Sequence, residues 1–173
     1  MNTRLPALGN RGEGWVAVQL VLIAAVLLSA LVGRGWSRSY APTAYAVGGV
    51  LLALGLLLLV AAGLELGRSL TPLPAPRTDP TLSLVTTGPY ALARHPMYGA
   101  GILFALGWTV VFATVSGLAL TVALAVVLDL KARREELWLT ERYAEYETYR
   151  QRTRRRLLPS CTNRVPPAAS TDS

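Results

Sequence analysis

The stretch "GPYALARHPMYGAG", residues 88–101, holds His95, the single histidine of the chain, beside Arg94, Pro96, Tyr90 and Tyr98. A proline is tolerated in the first turn of a helix, where its missing N–H leaves no bond unmade and its fixed φ favours the start. Pro96 therefore predicts a helix beginning at His95, and open backbone N–H groups beside an imidazole suit an anion such as a carboxylate. A second polar group stands at "DLKARREELWL", residues 129–139, where Lys131 and Glu135 lie four apart on one helical face and Arg134 and Glu136 on adjacent ones. Brought to one level, an anion site and an acidic helix turn would take a zwitterionic small molecule, carboxylate at one end and ammonium at the other. Each group also has a purely structural reading. Tyr90, Arg94 and Tyr98 can anchor a helix at a membrane interface, and Lys131 with Glu135 can be a surface ion pair worth about 0.3–0.5 kcal/mol.

The elements that must position these residues are hydrophobic. Of 173 residues, 52% are hydrophobic and 16% charged, and the apolar residues fall in blocks of the ~20 residues that a helix needs to cross a bilayer. The blocks predict an all-α, polytopic membrane bundle of four spans, at about 15–32, 44–64, 98–115 and 117–130. In the first, only Gln19 and Ser29 interrupt the apolar run; it exceeds the ~7–15 residues of a signal-peptide core, so it is read as a span. The last two form a tight hairpin broken at "TVSG", Thr114 to Gly117.

Four spans place both termini and the 66–97 loop on one side. All but Arg34 and Arg38 of the 17 lysines and arginines lie there, so both ends are expected in the cytoplasm, in a plasma or inner membrane. The net charge of +7 is thus explained by a membrane surface, with lipids as partners and no nucleic acid. Cys161 stands alone, which allows no intramolecular disulfide and no CxxC metal site; no metal is expected.

Prolines 72, 74, 76 and 80 keep the loop from forming a regular helix, while "LSLV", Leu82 to Val85, suggests that its second half packs. Neither proline nor glycine occurs between Leu118 and Leu158, so the fourth helix is predicted to continue beyond the membrane. It would be about 50 Å long if it reached Tyr149. Leu139, Tyr143 and Tyr146 would form an apolar stripe on it, covered by the proline-rich loop. Residues 131–159 are read as this cytoplasmic extension, completing the site, and 160–173 as a disordered tail.

The pattern "LVTTGPYALARHPMYGAG", followed about forty residues later by "EELWL" and "EYETYR", resembles the isoprenylcysteine carboxyl methyltransferase family of integral membrane enzymes, similar in turn to the phospholipid methyltransferases. The likeness covers roughly Leu66 to Pro159. It implies a membrane methyltransferase that uses S-adenosyl-L-methionine on a lipid-like acceptor, by resemblance the carboxylate of a prenylated cysteine. It further implies that Leu82, Ser83, Leu84 and Val85 line the adenosine pocket and that Tyr90 contacts the cofactor. By the same likeness His95, Pro96, Met97 and Tyr98 cradle its amino-acid end, and Glu135 holds it from the acidic turn. Where that family has an arginine that steers the substrate carboxylate, this chain has Lys131, which keeps the charge but not the bidentate fork. Two other classes compete. Membrane reductases of sterols or polyprenoid lipids, which use NADPH, have a similar "RHP" motif, though Met97 and "GAG" depart from its continuation. A scaffold without enzyme activity would need only the basic tail.

Overall fold

A computed structural model of the chain describes residue 8 and residues 12–67 and 84–158. Leu82, Ser83, the four loop prolines and the 160–173 tail lie outside the described residues. Among the described residues the elements are α1 (Glu13–Leu28) with a 3-10 turn (Ser29–Val32), α2 (Ala41–Leu66), α3 (Pro89–Leu92), α4 (Pro96–Val111), α5 (Val115–Arg142) and α6 (Tyr146–Arg152), and no strand occurs.

Among the described residues three helical segments are long and apolar enough to cross a membrane: Glu13–Val32, Ala41–Leu66 and Val115–Arg142. α4 is apolar but shorter, at 16 residues. The side chains are arranged as lipid requires. On α2 the buried positions are Ala44, Gly48, Gly55 and Ala62, whereas Leu54, Leu56, Leu57 and Leu64 are exposed. Large residues face outward because lipid is as apolar as they are, and small ones face inward because they let two backbones approach. α2 packs along α4 in this way. A Cβ on Gly55 would stand 2.8 Å from Phe104 N, and one on Gly107 2.7 Å from Leu52 N.

α1 packs along α5, and the residues that interrupted its apolar run fasten it there. Ser29 Oγ lies 3.2 Å from Thr114 Oγ1 at the start of α5, and Gln19 Oε1 accepts a 2.7 Å hydrogen bond from Lys131 Nζ further along. Between these two points Val26 of α1, Ala105 of α4, and Leu124 and Leu128 of α5 form the apolar core. The α4 to α5 connection, residues 112–114, is shorter and earlier than the predicted break, and it passes through Ala113 at φ 50°.

The prediction of one helix running on to Tyr149 is corrected. α5 does continue past Leu128, but it stops at Arg142 because Tyr143 is extended (φ −117°, ψ 113°), and the chain turns back into α6. Continuing would have kept Tyr146 and Tyr149 on a projecting rod; turning buries both. Tyr149 Oη then donates to Tyr90 O at 2.7 Å. Tertiary packing outweighs the small per-residue preference for helix.

Candidate functional site

The residues ahead of α4 are built as a short extended piece. Arg94 N donates to Arg155 O at 3.0 Å and His95 N to Arg156 O at 2.7 Å, so residues 155–156 lie alongside 94–95. Beyond them Leu157 O crosses so close over Gly99 that no side chain fits there. The expected row of open N–H groups at this helix start is thereby largely filled. The His95 N–H is engaged, Pro96 has none, and Tyr98 N and Gly99 N both donate to His95 O. What this end of α4 offers is chiefly its side chains.

Those side chains meet two adjacent acids of α5. His95 Nδ1 lies 3.5 Å from Glu135 Oε2, and His95 Nε2 lies 3.5 Å from Glu136 Oε1. The imidazole is buried, and its Nε2 has no hydrogen-bond partner of good geometry. Tyr98, one turn on, stacks on it with ring centroids 5.4 Å apart and planes 4° apart, and its hydroxyl donates to Glu135 Oε2 at 2.8 Å. The two acids differ in access. The Glu135 side chain keeps 22% of its surface open, and that of Glu136 only 8%.

Glu136 is the hub of the buried charge. Its Oε1 accepts from Arg94 Nε at 2.9 Å and from Arg156 Nε at 3.1 Å. Arg94 also donates to Thr153 O at 2.7 Å and Arg154 O at 3.0 Å, and Arg156 to Asp129 Oδ1 at 2.8 Å. Partial burial alone would lower the Arg156 pKa, but the hydrogen bond to Asp129 and the charge of Glu136 hold it above its ordinary value. One acid thus ties the start of α4, the body of α5 and the returning 153–156 segment together.

Lys131 is buried, with 2% of its surface exposed, which removes the surface ion-pair reading. Its ammonium donates to Gln19 of α1 and stands 5.1 Å from the centre of the Tyr98 ring. Tyr98 therefore touches both polar groups of the site, Glu135 through its hydroxyl and Lys131 through its ring face. Tyr90 is buried beneath α6, and its carbonyl receives the Tyr149 hydroxyl. Burial pushes the phenols of Tyr90, Tyr146 and Tyr149 well above their usual value, and the neighbouring glutamates push in the same direction. Leu84 and Val85 are half-buried ahead of α3.

Of the residues expected in a site, the structure brings together His95, Tyr98, Lys131 and Glu135, with Pro96 and Met97 in the first turn of α4. Sequence reasoning left Glu136 on a neighbouring face and treated Arg94 as an anchor; both are buried partners in the hub. It also missed Gln19, Asp129 and Arg156. Gln19 carried a signal, as one of two polar residues in an otherwise apolar span; Arg156, one of several tail arginines, carried none.

Long helices with their large apolar residues outward, three of them among the described residues long and apolar enough to cross a membrane, define a multi-pass membrane protein. Residues 43–146 match the phospholipid methyltransferase family, and the chain belongs to it. The match contains His95, Tyr98, Lys131, Glu135 and Glu136, whereas Gln19 and Arg156 fall outside it. A stretch of 75 residues, 41% of this chain, is 37% identical to the cobalt-zinc-cadmium resistance protein CzcN of Cupriavidus metallidurans. It spans 33% of that protein's length.

Proposed function

We propose that the chain is a membrane methyltransferase that takes its methyl group from S-adenosyl-L-methionine and passes it to a lipid-like acceptor. The resemblance noted in the sequence favours the carboxylate of a prenylated cysteine. The observation that carries the reading is the meeting of His95 with Glu135 and Glu136, each 3.5 Å away, in a chain of this family.

The residues present fit such a cofactor. A buried polar atom without a hydrogen bond costs roughly 1–3 kcal/mol, and His95 Nε2 is one; the polar end of a bound molecule would satisfy it. Glu135, the more open acid, suits the ammonium of the cofactor's amino-acid end, next to His95, Pro96, Met97 and Tyr98. Leu84 and Val85, with Leu82 and Ser83 before them in sequence, would offer the apolar side that an adenosine needs, and Tyr90 follows them in α3. When bound, the cofactor supplies an electrophilic methyl group on a sulfonium.

The protein's own part is then positioning and exclusion of water. A methyl transfer needs no Lewis acid and no covalent enzyme intermediate, so holding the acceptor in line can supply most of the rate. Lys131 provides a fixed positive charge toward which an acceptor carboxylate would turn. A poorly hydrated pocket at the membrane boundary favours a carboxylate nucleophile, because charge is lost on the way to the transition state.

In this reading α4 is the third of four spans, both termini and the polar site face the cytoplasm of a plasma or inner membrane, and the soluble cofactor enters from that side. The test is calorimetric titration of the detergent-purified protein with S-adenosylhomocysteine and, separately, NADPH, for wild type, His95→Ala and Glu135→Ala. Micromolar binding of S-adenosylhomocysteine that both substitutions remove is the expected result. An NADPH signal instead would move the protein to the lipid reductases, and no signal from either ligand in a folded sample would leave a scaffold.

A further inference from the structure

The segment after α6 lies beyond the stretch that matches the family, yet it is bonded to the residues ahead of α4 along its length. Thr153 Oγ1 donates to Ala91 O at 3.3 Å, Arg155 O and Arg156 O receive the N–H groups of Arg94 and His95, and Leu157 O crosses over Gly99. This segment is therefore a strap that sets the backbone on which Arg94 and His95 stand. Its level along the helices is defined as well. Arg156 donates to Asp129 Oδ1 at 2.8 Å, and Asp129 is the first charged residue of α5, as Arg94 is the last before the apolar run of α4. The strap thus lies where both helices pass from charged to apolar. Along it Arg152, Arg154 and Arg155 are exposed, their side chains take no part in the bonds just named, and Leu158 is exposed too, at 45%. Exposed cations followed at once by an exposed leucine suit a bilayer surface, with charge toward the head groups and the apolar side chain toward the acyl chains.

We propose that the strap couples the charge of the surrounding membrane to the site: anionic phospholipid head groups hold Arg152, Arg154 and Arg155, and the docked strap in turn holds Arg94 and His95. The inference deepens the methyltransferase reading, on which it rests only for what the site binds. A lipid favours the docked strap only by binding that state better than the free one. Docking supplies the difference, because it fixes three guanidinium groups at the head-group level, whereas the attraction on a free segment fades within a Debye length of the surface. The alternative is a strap fastened by its own hydrogen bonds, with its arginines simply in water; such a strap is indifferent to lipid.

The test is hydrogen exchange, read by mass spectrometry, on the full chain in nanodiscs of phosphatidylcholine alone or mixed with phosphatidylglycerol. Exchange of residues 92–97 and 153–158 should be slower in the anionic discs, by about fivefold for each arginine near the surface, and high salt should remove the difference. The double variant Arg152→Gln, Arg154→Gln should lose most of the lipid dependence while exchanging as wild type does in neutral discs. Equal exchange in the two discs overturns the inference, as does faster exchange in the anionic ones or a double variant that responds like wild type. Calorimetry with S-adenosylhomocysteine in the same discs keeps the two readings apart. If that ligand binds in neither disc while the exchange difference persists, the methyltransferase reading fails and the lipid-held strap stands.

Discussion

Arg94 Nε donates to Glu136 Oε1 at 2.9 Å between side chains that are both nearly closed to solvent, which joins the start of α4 to α5 by a buried ion pair. Arg156 reaches the same oxygen at 3.1 Å, so neutralising Glu136 leaves two guanidinium groups without their shared acid. Breaking a buried pair from one side costs about 3–5 kcal/mol, because a charge is left behind in a low dielectric. Glu136→Gln should therefore lower the unfolding temperature in detergent more than Arg156→Gln, whose side chain is 28% exposed. Replacing both Arg94 and Glu136 by leucine should recover part of the loss. An unchanged melt for Glu136→Gln would show that the hub does not hold these elements together.

The tyrosines of the returning segment give the fold an alkaline limit. Burial raises the phenols of Tyr90, Tyr146 and Tyr149 above the ordinary value of 10.0. A group whose folded pKa is raised contributes stability that is present below its unfolded pKa and is lost as the pH climbs above it. The protein should thus keep its stability up to about pH 10 and lose it beyond. Ultraviolet titration should show these three phenols ionising only as the 146–158 segment comes away. Tyr149→Phe, which removes the bond to Tyr90 O, should cost about 1 kcal/mol and leave one fewer late-titrating phenol.

What the sequence disclosed and what it hid divide along physical lines. The apolar blocks gave the long helices because a bilayer demands a fixed length of apolar chain, and Pro96 located the start of α4 because its ring fits there and few places else. His95 and Glu135 were legible because both are polar residues at the end of apolar runs. Glu136 was hidden by its neighbour, since two adjacent acids look alike until the packing angle of α4 decides which one is buried. The end of α5 at Arg142 was hidden for another reason: no glycine or proline marks it, and the cause is the burial of Tyr146 and Tyr149 against residues far earlier in the chain.

The α2 and α4 contact should tolerate no added bulk at its glycines. A Cβ on Gly107 would stand 2.7 Å from Leu52 N and 2.8 Å from Gly48 O, both backbone atoms that cannot step aside. Gly107→Ala is expected to destabilise by about 1–3 kcal/mol through overpacking, whereas Gly49→Ala, where nothing lies within 4 Å, should be neutral or mildly stabilising. Thermal unfolding of the two variants side by side checks this. Equal melts would mean that the helices are not pressed together at Gly107.

Tyr98 separates orientation from stacking at the site. Its ring stacks on His95 and carries Lys131 over its face, while its hydroxyl donates to Glu135 Oε2 at 2.8 Å. Tyr98→Phe keeps the ring contacts and removes one hydrogen bond to an acid, so Glu135 loses its fixed orientation but not its charge. A bond of this kind is worth about 1 kcal/mol, which corresponds to roughly a fivefold loss of S-adenosylhomocysteine affinity with little change in unfolding temperature. Tyr98→Ala also removes the ring contacts to the imidazole and the ammonium, and it should cost clearly more. Calorimetric titration of both variants reads the difference. If Tyr98→Phe binds as wild type does, Glu135 is oriented by something other than this hydroxyl, and the link from α4 to the acid of α5 does not set affinity.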